Sequence, residues 1–473
     1  MRKTKIVCTL GPACRDAVTL KRMMENGMNV ARLNFSHQEH QFHAENIETL
    51  KKLRESMGRP LAILLDTKGP EIRTGILKRG NATLVEGSTF TLTSNPIEGD
   101  ERRCSVNSER LPAAVKKGDR ILLDDGRIEL TVESTEKTEI YCRVKTGGEL
   151  KNTRGVNVPS VHIETPFLSE QDKKDLLFGI HEEVDLIAAS FVRNAEDIIA
   201  LRDYLARHGG EHIGIIAKIE NQSALDDFDR ILALADGIMV ARGDMGVEIP
   251  FEQLPAIQKK LVRKSFLCGK PVLVATQMLE SMIEHPSPTR AEINDVATAV
   301  FEATSGVMLS GETAIGRDPA AVVGVLAKIC ARAEEDARKS GFYPNTPPQA
   351  VTRDRTEAIC AAAVRAAEIA AADAVIAVTK SGLTARTLAK YRTEIPLIGA
   401  TNDRSVYHRL SIHWGVIPLL TETKDSLDGL IAHVTERAVA AGLLKSGQRA
   451  VVTVGAPIGS GGNTDALKIV EIR

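Results

Sequence analysis

Three features of the sequence predict an α/β protein: a (β/α)8 TIM barrel with an inserted small β-barrel lid domain and a C-terminal open α/β domain. Short apolar runs, each ending in polar or glycine-rich residues and followed by a helical stretch, recur eight times. About 100 residues of a different, alternating texture interrupt this series between the third and fourth runs. Beyond residue 345 the strand–helix rhythm starts again, which is the pattern of a further open α/β layer.

The eight runs lie at 6–9, 30–33, 61–65, 184–189, 213–217, 237–240, 272–275 and 306–309. Near-continuous apolar stretches are what strands buried on both faces require. Between them, 17–24, 43–56, 169–179, 195–208 and 251–268 carry helical periodicity. In the interruption, alternating segments at 88–93, 120–123, 128–132 and 140–144 are separated by turn pairs such as Asp125-Gly126 and Gly147-Gly148. Taking 71–166 as the insertion leaves 1–70 and 167–345 for the barrel, close to the usual size of about 250 residues. A proline-rich crossing at 341–349 leads into the domain 346–473. Its expected helices are 355–371, 385–391, 406–411 and 425–441, and its expected strands are 374–378, 397–400, 415–418 and 449–454.

Composition narrows the function classes. The 473 residues carry 61 Lys and Arg against 62 Asp and Glu, without the basic excess of a general nucleic-acid or acidic-membrane binder. With 43% hydrophobic and 26% charged residues the chain has the makings of ordinary folded domains. No apolar run approaches the roughly 20 residues of a membrane helix, and no signal-peptide core follows the charged start. Seven scattered cysteines without a CxxC pair predict reduced thiols and a cytoplasmic location.

In such barrels the chemistry sits where strands end at their C-terminal side. Thr9, Arg32, Asn34, Ser36, His37, Asp66, Thr67, Lys68, Glu71 and Arg73 follow the first three runs. Ser190, Phe191, Lys218, Glu220, Arg242, Gly243, Asp244, Thr276, Gln277, Ser310 and Glu312 follow the rest. Lys218 and Glu220 are two apart on a strand and share a face. An isolated pair of this kind is ordinarily a satisfied ion pair; at a barrel mouth it suits a cation beside a metal ligand. Asp244, alone a turn or helix-cap residue, could join Glu220 to hold Mg²⁺, which takes one or two carboxylates plus water and substrate oxygens. Arg32 and Arg73, singly surface residues, together suit a phosphorylated substrate. Asn34, Ser36, Asp66 and Thr67 form an oxygen-rich set that serves either loop capping or a second hard cation. In the third domain, Thr379-Lys380-Ser381-Gly382-Leu383-Thr384 joins a strand to a helix, a plain capped connection or a phosphate cradle. The glycine-rich 455–463 could close over a ligand there.

Seven segments then carry a resemblance: Lys5-Ile-Val-Cys-Thr-Leu-Gly-Pro, Arg32-Leu-Asn-Phe-Ser-His, Asp66-Thr-Lys-Gly-Pro-Glu-Ile-Arg, Lys218-Ile-Glu-Asn, Ala241-Arg-Gly-Asp-Met-Gly-Val-Glu, Ala275-Thr-Gln-Met-Leu-Glu-Ser-Met and Met308-Leu-Ser-Gly-Glu-Thr. In this order, with the insertion after the third strand, the chain resembles the pyruvate kinase family over essentially its whole length. The resemblance implies transfer of the phosphoryl group of phosphoenolpyruvate to ADP, giving pyruvate and ATP. It implies that Lys218, Arg32 and Thr276 are catalytic and that Arg32, Gly243, Asp244 and Thr276 hold the substrate. Asn34, Phe35, Ser36, His37, Arg73 and Arg154 would face the nucleotide. Glu220 and Asp244 would bind Mg²⁺ or Mn²⁺, and Asn34, Ser36, Asp66 and Thr67 would bind K⁺. Thr379, Lys380, Ser381, Gly382 and Thr384 would bind a phosphorylated sugar activator such as fructose 1,6-bisphosphate. The resemblance also implies a homotetramer.

Particular residues adjust these implications. Glu71 stands where K⁺-independent members resemble one another in having Lys, so it favours K⁺ dependence. Arg154 replaces a Lys common in the lid while keeping its charge. The short termini suggest a compact bacterial-type enzyme. Two alternatives accompany this reading: a metal-dependent lyase acting on pyruvate or phosphoenolpyruvate, and a catalytically inactive sugar-phosphate sensor.

Overall fold

The computed structural model describes residues 1–159, 161, 163, 165–342, 354–455 and 464–472. Most of the crossing at 341–349 and of the glycine run at 455–463 lies outside the described residues. Eight parallel strands close into a barrel in chain order: Lys5–Thr9, Val30–Asn34, Ala62–Asp66, Leu186–Ala189, Gly214–Ile219, Gly237–Ala241, Val272–Ala275 and Gly306–Leu309. All eight expected runs are found. The bounds shift so that Asp66 and Lys218 are strand residues rather than loop residues, which fixes their backbones in the ladder.

Apolar residues are needed on both strand faces because two cores exist. Val7, Val30, Leu64, Ala188, Ile216, Met239, Leu273 and Met308 fill the barrel interior. Ile6, Leu33, Ile63, Ile187, Val240 and Val274 pack outward against the helices. Ile412 of the third domain joins the interior cluster and stops the barrel at the end opposite the strand C-termini. Helix starts follow side-chain chemistry: Ser169 and Asp172 form a capping box, as do Thr289 and Glu292. Asn194, Asn221 and Asp318 cap three other helices through their side chains.

The insertion differs from one closed sheet. It forms a six-stranded sheet in the order Val156–Asn157, Arg120–Leu123, Ile128–Thr135, Glu139–Thr146, Thr89–Thr93, Arg103–Ser105, and a pair of Asn81–Leu84 with Gly148–Lys151. Both surround one core that includes Phe90, Leu92, Ile121, Leu130 and Leu150. The strands that the sequence does not announce are two to four residues long, too short to display alternation. In the third domain, Val416–Leu420, Leu397–Thr401, Ala374–Val378 and Arg449–Val454 are parallel and in that spatial order. An unforeseen edge strand, Ala466–Glu471, adds antiparallel to the last. It is half-exposed and follows a glycine run, so it lacks the apolar signature of its neighbours. Among the described residues no helix is long and apolar enough to cross a membrane.

Candidate active site

The strand ends converge on a buried ammonium. Lys218 is 8% exposed, and its Nζ lies 3.1 Å from Asp66 Oδ1, 2.7 Å from Ser190 Oγ and 3.0 Å from Glu220 Oε1. Burial alone would lower its pKa, but the carboxylates of Asp66, Glu220 and Asp244 outweigh that and hold it above the usual lysine value. Asp66 is also fully buried. Burial would raise its pKa, yet Arg32 and Lys218 prevail and keep it below the ordinary aspartate range. Arg32 reaches Asp66 Oδ2 through Nε at 2.6 Å and Thr9 Oγ1 through Nη1 at 2.9 Å.

Glu220 is the unsettled member. Its Oε2 accepts the Phe191 N–H at 2.5 Å. Its Oε1, although 3.0 Å from the Lys218 ammonium, lacks a hydrogen bond of proper geometry and is buried. Burial pushes the Glu220 carboxyl up to about 7 despite Lys218. Asp244 stands in the first turn of the helix Arg242–Glu248. It raises the pKa values of Glu71, Asp125, Glu220 and Glu248, so these carboxylates share one electrostatic neighbourhood. A buried, unbonded carboxylate oxygen beside a second carboxylate is a fitting donor set for a hard divalent cation. Among the described residues no third acidic, His or Cys side chain completes a metal-binding group.

The oxygen-rich set is also assembled. Asn34 and Asp66 are register neighbours on adjacent strands. Asn34 Oδ1 accepts the Ser36 N–H at 3.1 Å, and Thr67 Oγ1 accepts the Ser190 N–H at 3.1 Å. Carbonyl, hydroxyl and carboxylate oxygens of this kind suit a monovalent or divalent hard cation. His37 is pushed down, first by burial and then by Arg73, Arg32 and Lys68, so a cationic rim faces it.

Thr276 is held in a strained conformation. Its φ is +68° and that of Gln277 is +55°, a left-handed pair without glycine and with a β-branched member. Arg242 explains how it persists. Its Nε donates to the Ala275 carbonyl at 3.1 Å and its Nη2 to the Thr276 carbonyl, while Asp295 clasps Nη1 at 2.8 and 2.9 Å. Gly243 lies against the Thr276 side chain, where an added Cβ would come within 3.6 Å.

Other sequence-predicted residues are placed differently. The Phe35 ring stacks on His43 at 4.1 Å and packs near Phe178, so only its backbone is available at the mouth. Arg73 is engaged by Glu71 at 2.8 Å and by the Thr153 carbonyl. Arg154 lies 3.3 Å from Asp124. Glu312 accepts the N–H groups of Leu279 and Ser310 and fastens two loops. Thr379, Lys380, Ser381 and Thr384 line a cavity of about 500 Å³ in the third domain, and Gly382 lies outside that lining. The Gly382 N–H is given to Thr379 Oγ1 at 2.9 Å.

Sequence reasoning did not assign three participants. Ser190, noted only as a strand-end residue, bonds Lys218. Asp295 sits mid-helix, where strand-end reading gives no signal. Asp125, read only as a turn residue, sits at the lid tip within the electrostatic reach of Asp244, where burial first and then Asp124 and Asp244 raise its pKa; the adjacent Gly126 approaches Val247, and Asn157 donates to Glu248 at 3.1 Å.

Comparison with known proteins covers both halves. A family model described as "Pyruvate kinase, barrel domain" matches residues 1–323, and one described as "Pyruvate kinase, alpha/beta domain" matches 357–470. The chain is 43% identical to a pyruvate kinase of Clostridium acetobutylicum over all of both chains. It is 44% identical to one of Geobacillus stearothermophilus, over 99% of this chain and 80% of that one. A solved pyruvate kinase from Cryptosporidium parvum superposes with a TM-score of 0.91 at 35% identity, covering 100% of this chain and 96% of the other.

Proposed function

The chain belongs to the pyruvate kinase family, a family of phosphotransferases, and we propose that the Lys218 cluster is where it moves the phosphoryl group of phosphoenolpyruvate to ADP. The observation that carries this is the buried Lys218 ammonium between Asp66, Ser190 and Glu220, beside a Glu220 oxygen without a hydrogen-bond partner. The phosphorus–oxygen bond to the enolate breaks, a bond to the ADP terminal phosphate oxygen forms, and the enolate carbon takes a proton. Such a transfer asks the protein for positioning and for positive charge around the equatorial oxygens.

Lys218 supplies that charge and stays protonated, since its carboxylate neighbours hold its pKa high. Arg32, fixed by Asp66 and Thr9, directs a second cation at the substrate. Gly243 allows close backbone approach beside Asp244, and the strained Thr276 lies on the proton path to the enolate. Arg242 is a positioning residue for Thr276. Glu220 and Asp244 would hold Mg²⁺ or Mn²⁺, and Asn34, Ser36, Asp66 and Thr67 would hold K⁺; bound there, the cations neutralise phosphate and carboxylate oxygens. Asn34, the Phe35 backbone, Ser36, His37, Arg73 and Arg154 face the nucleotide. The lid, already near Asp244, excludes the water that would compete as acceptor.

The remaining readings extend this one. The barrel is formed by 1–70 with 167–345, the lid by 71–166 and the regulatory domain by 346–473. The cavity at 379–384 takes a phosphorylated sugar such as fructose 1,6-bisphosphate, and the protein works as a cytoplasmic homotetramer. A coupled assay for pyruvate from phosphoenolpyruvate and ADP, with Mg²⁺ and with or without K⁺ and the bisphosphate, tests the set. Turnover that requires ADP and metal, rises with K⁺ and rises again with the bisphosphate is expected. Product formed without ADP would replace the kinase reading with a lyase.

A further inference from the structure

A second lined cleft lies at the opposite end of the barrel. Between the barrel floor and the third domain lies a cleft of about 370 Å³, which adjoins the cavity at 379–384 and shares His212, Ser381, Leu383 and Arg409 with it. The barrel side comes from the segments that enter strands: His212 and Ile213 before Gly214–Ile219, Asp236 before Gly237–Ala241, and Pro271 before Val272–Ala275. The other side comes from Arg386, Arg409 and His413. Arg202 and Glu211 also line it, so three guanidiniums, Arg202, Arg386 and Arg409, face two carboxylates, Asp236 and Glu211.

The charges are not spent equally. Arg202 is tied to Asp236 at 2.8 Å, and Asp236 also accepts the Ile215 N–H at 2.8 Å. Arg409 donates to the carbonyls of His212 and Ser381. The Arg386 guanidinium has no hydrogen-bond or ion-pair partner among the described residues, although burial lowers its pKa. An Arg taken largely out of water and left without a partner is costly, and bidentate binding of a phosphate answers that cost. His413, buried beside Arg386, Arg409 and Lys5, is held neutral and keeps a ring nitrogen for a donor or acceptor contact. Leu186, Ile216 and Ile412 give the cleft an apolar wall. Its volume falls at the lower end of the roughly 300–1,000 Å³ range of small-molecule sites, more than a bare phosphate fills.

We propose that this cleft binds a small phosphomonoester, its phosphate on Arg386 and its organic body against the apolar wall, bridging the barrel floor to the third domain. The cleft is set apart from the 379–384 cavity by Arg386, Asp236 and His413, which line the cleft and not that cavity. Phenyl phosphate and inorganic phosphate are suitable probes for titration calorimetry and for crystals of the full chain. The phosphate of phenyl phosphate should lie within hydrogen-bond distance of Arg386, and Arg386→Gln should weaken that binding at least tenfold, with Arg386→Lys between the two. Inorganic phosphate should bind at least threefold more weakly than phenyl phosphate. Density for the probe only at the catalytic mouth or only in the 379–384 cavity overturns the proposal, as does an Arg386→Gln isotherm that matches the parent. Equal affinities for the two probes overturn the phosphomonoester assignment. The crystal readout uses the unaltered chain, so misfolding of a variant cannot decide the matter.

Discussion

The two ends of the barrel bury charge in opposite ways. At the mouth, Lys218, Arg32, Asp66 and Glu220 satisfy one another across strand ends and leave Glu220 Oε1 without a hydrogen bond. At the floor, outside the Arg386 cleft, cations finish on fixed partners. Across the seam with the third domain, Lys5 donates to the Val416 carbonyl at 2.7 Å and Arg392 to the Ala303 carbonyl at 2.6 Å; within the barrel domain, Arg54 pairs with Asp185 at 3.1 Å. Lys3 and Arg392 flank the single tryptophan, Trp414, at 5.1 and 4.3 Å from its ring. The same eight strands thus carry a mouth, where a buried carboxylate oxygen is left without a hydrogen bond, and a floor where, outside the Arg386 cleft, Ile412 and backbone carbonyls close the barrel. Burial of charge alone does not mark a site; an open valence within it does.

Removing the cation from the mouth should have the largest effect. Lys218→Met is expected to lower kcat by roughly 10³-fold while phosphoenolpyruvate affinity changes only a few-fold, because the ammonium acts chiefly on charge in transit. Steady-state assays with an independent binding titration separate the two. Turnover within tenfold of the parent would show that the cluster is another structural knot like the floor.

The floor should respond in the other currency. Arg54→Met leaves Asp185 buried without its cation, and breaking a buried pair from one side costs about 3 kcal/mol. Burial already pushes the Asp185 carboxyl up to about 6. A carboxyl raised in the folded state favours folding when protonated, so the variant's deficit should be greatest above about pH 6 and shrink as pH falls. Urea unfolding at several pH values measures this, and kcat should be unchanged. A fall in kcat comparable to that of Lys218→Met would join the two ends functionally and dissolve the contrast.

This contrast also sets what the sequence could reveal. The barrel is legible because both cores demand apolar strands, and the mouth because polar residues can follow those strands only where the barrel opens. Lys218 and Glu220 are found by their two-residue spacing at a strand end, since the spacing by itself describes an ordinary ion pair. Asp295 is not, since its partnership with Arg242 joins a helix face to a loop distant in sequence. Phe35 entered through the family resemblance, and its ring turns inward to stack on His43 and pack near Phe178, which leaves its backbone for the mouth. The edge strand Ala466–Glu471 is hidden because one half-exposed strand needs no apolar run. The roles of Asn34, Ser36 and Thr67 came from family resemblance; their types alone fit loop capping equally well.

The stack under the mouth yields the smallest effect and refines the comparison, because it asks whether the mouth's support titrates when its charges do not. His43 is buried, donates through Nε2 to the His37 carbonyl at 3.0 Å and leaves Nδ1 without a partner. Burial pushes its pKa down to about 4, from an ordinary value near 6.5. The unfolded chain therefore takes up a proton first as pH falls. Stability from this group is complete above about pH 6.5 and is lost progressively towards pH 4, by at most about 1.4 kcal/mol per pH unit. His43→Gln lowers stability at pH 7 through the lost stack but removes this slope. Calorimetric melts of both proteins between pH 7 and 5 should converge as the solution is acidified. Parallel curves would mean that His43 is protonated alike in folded and unfolded chains, and that the segment from Asn34 to His37 rests on packing whose strength does not depend on pH.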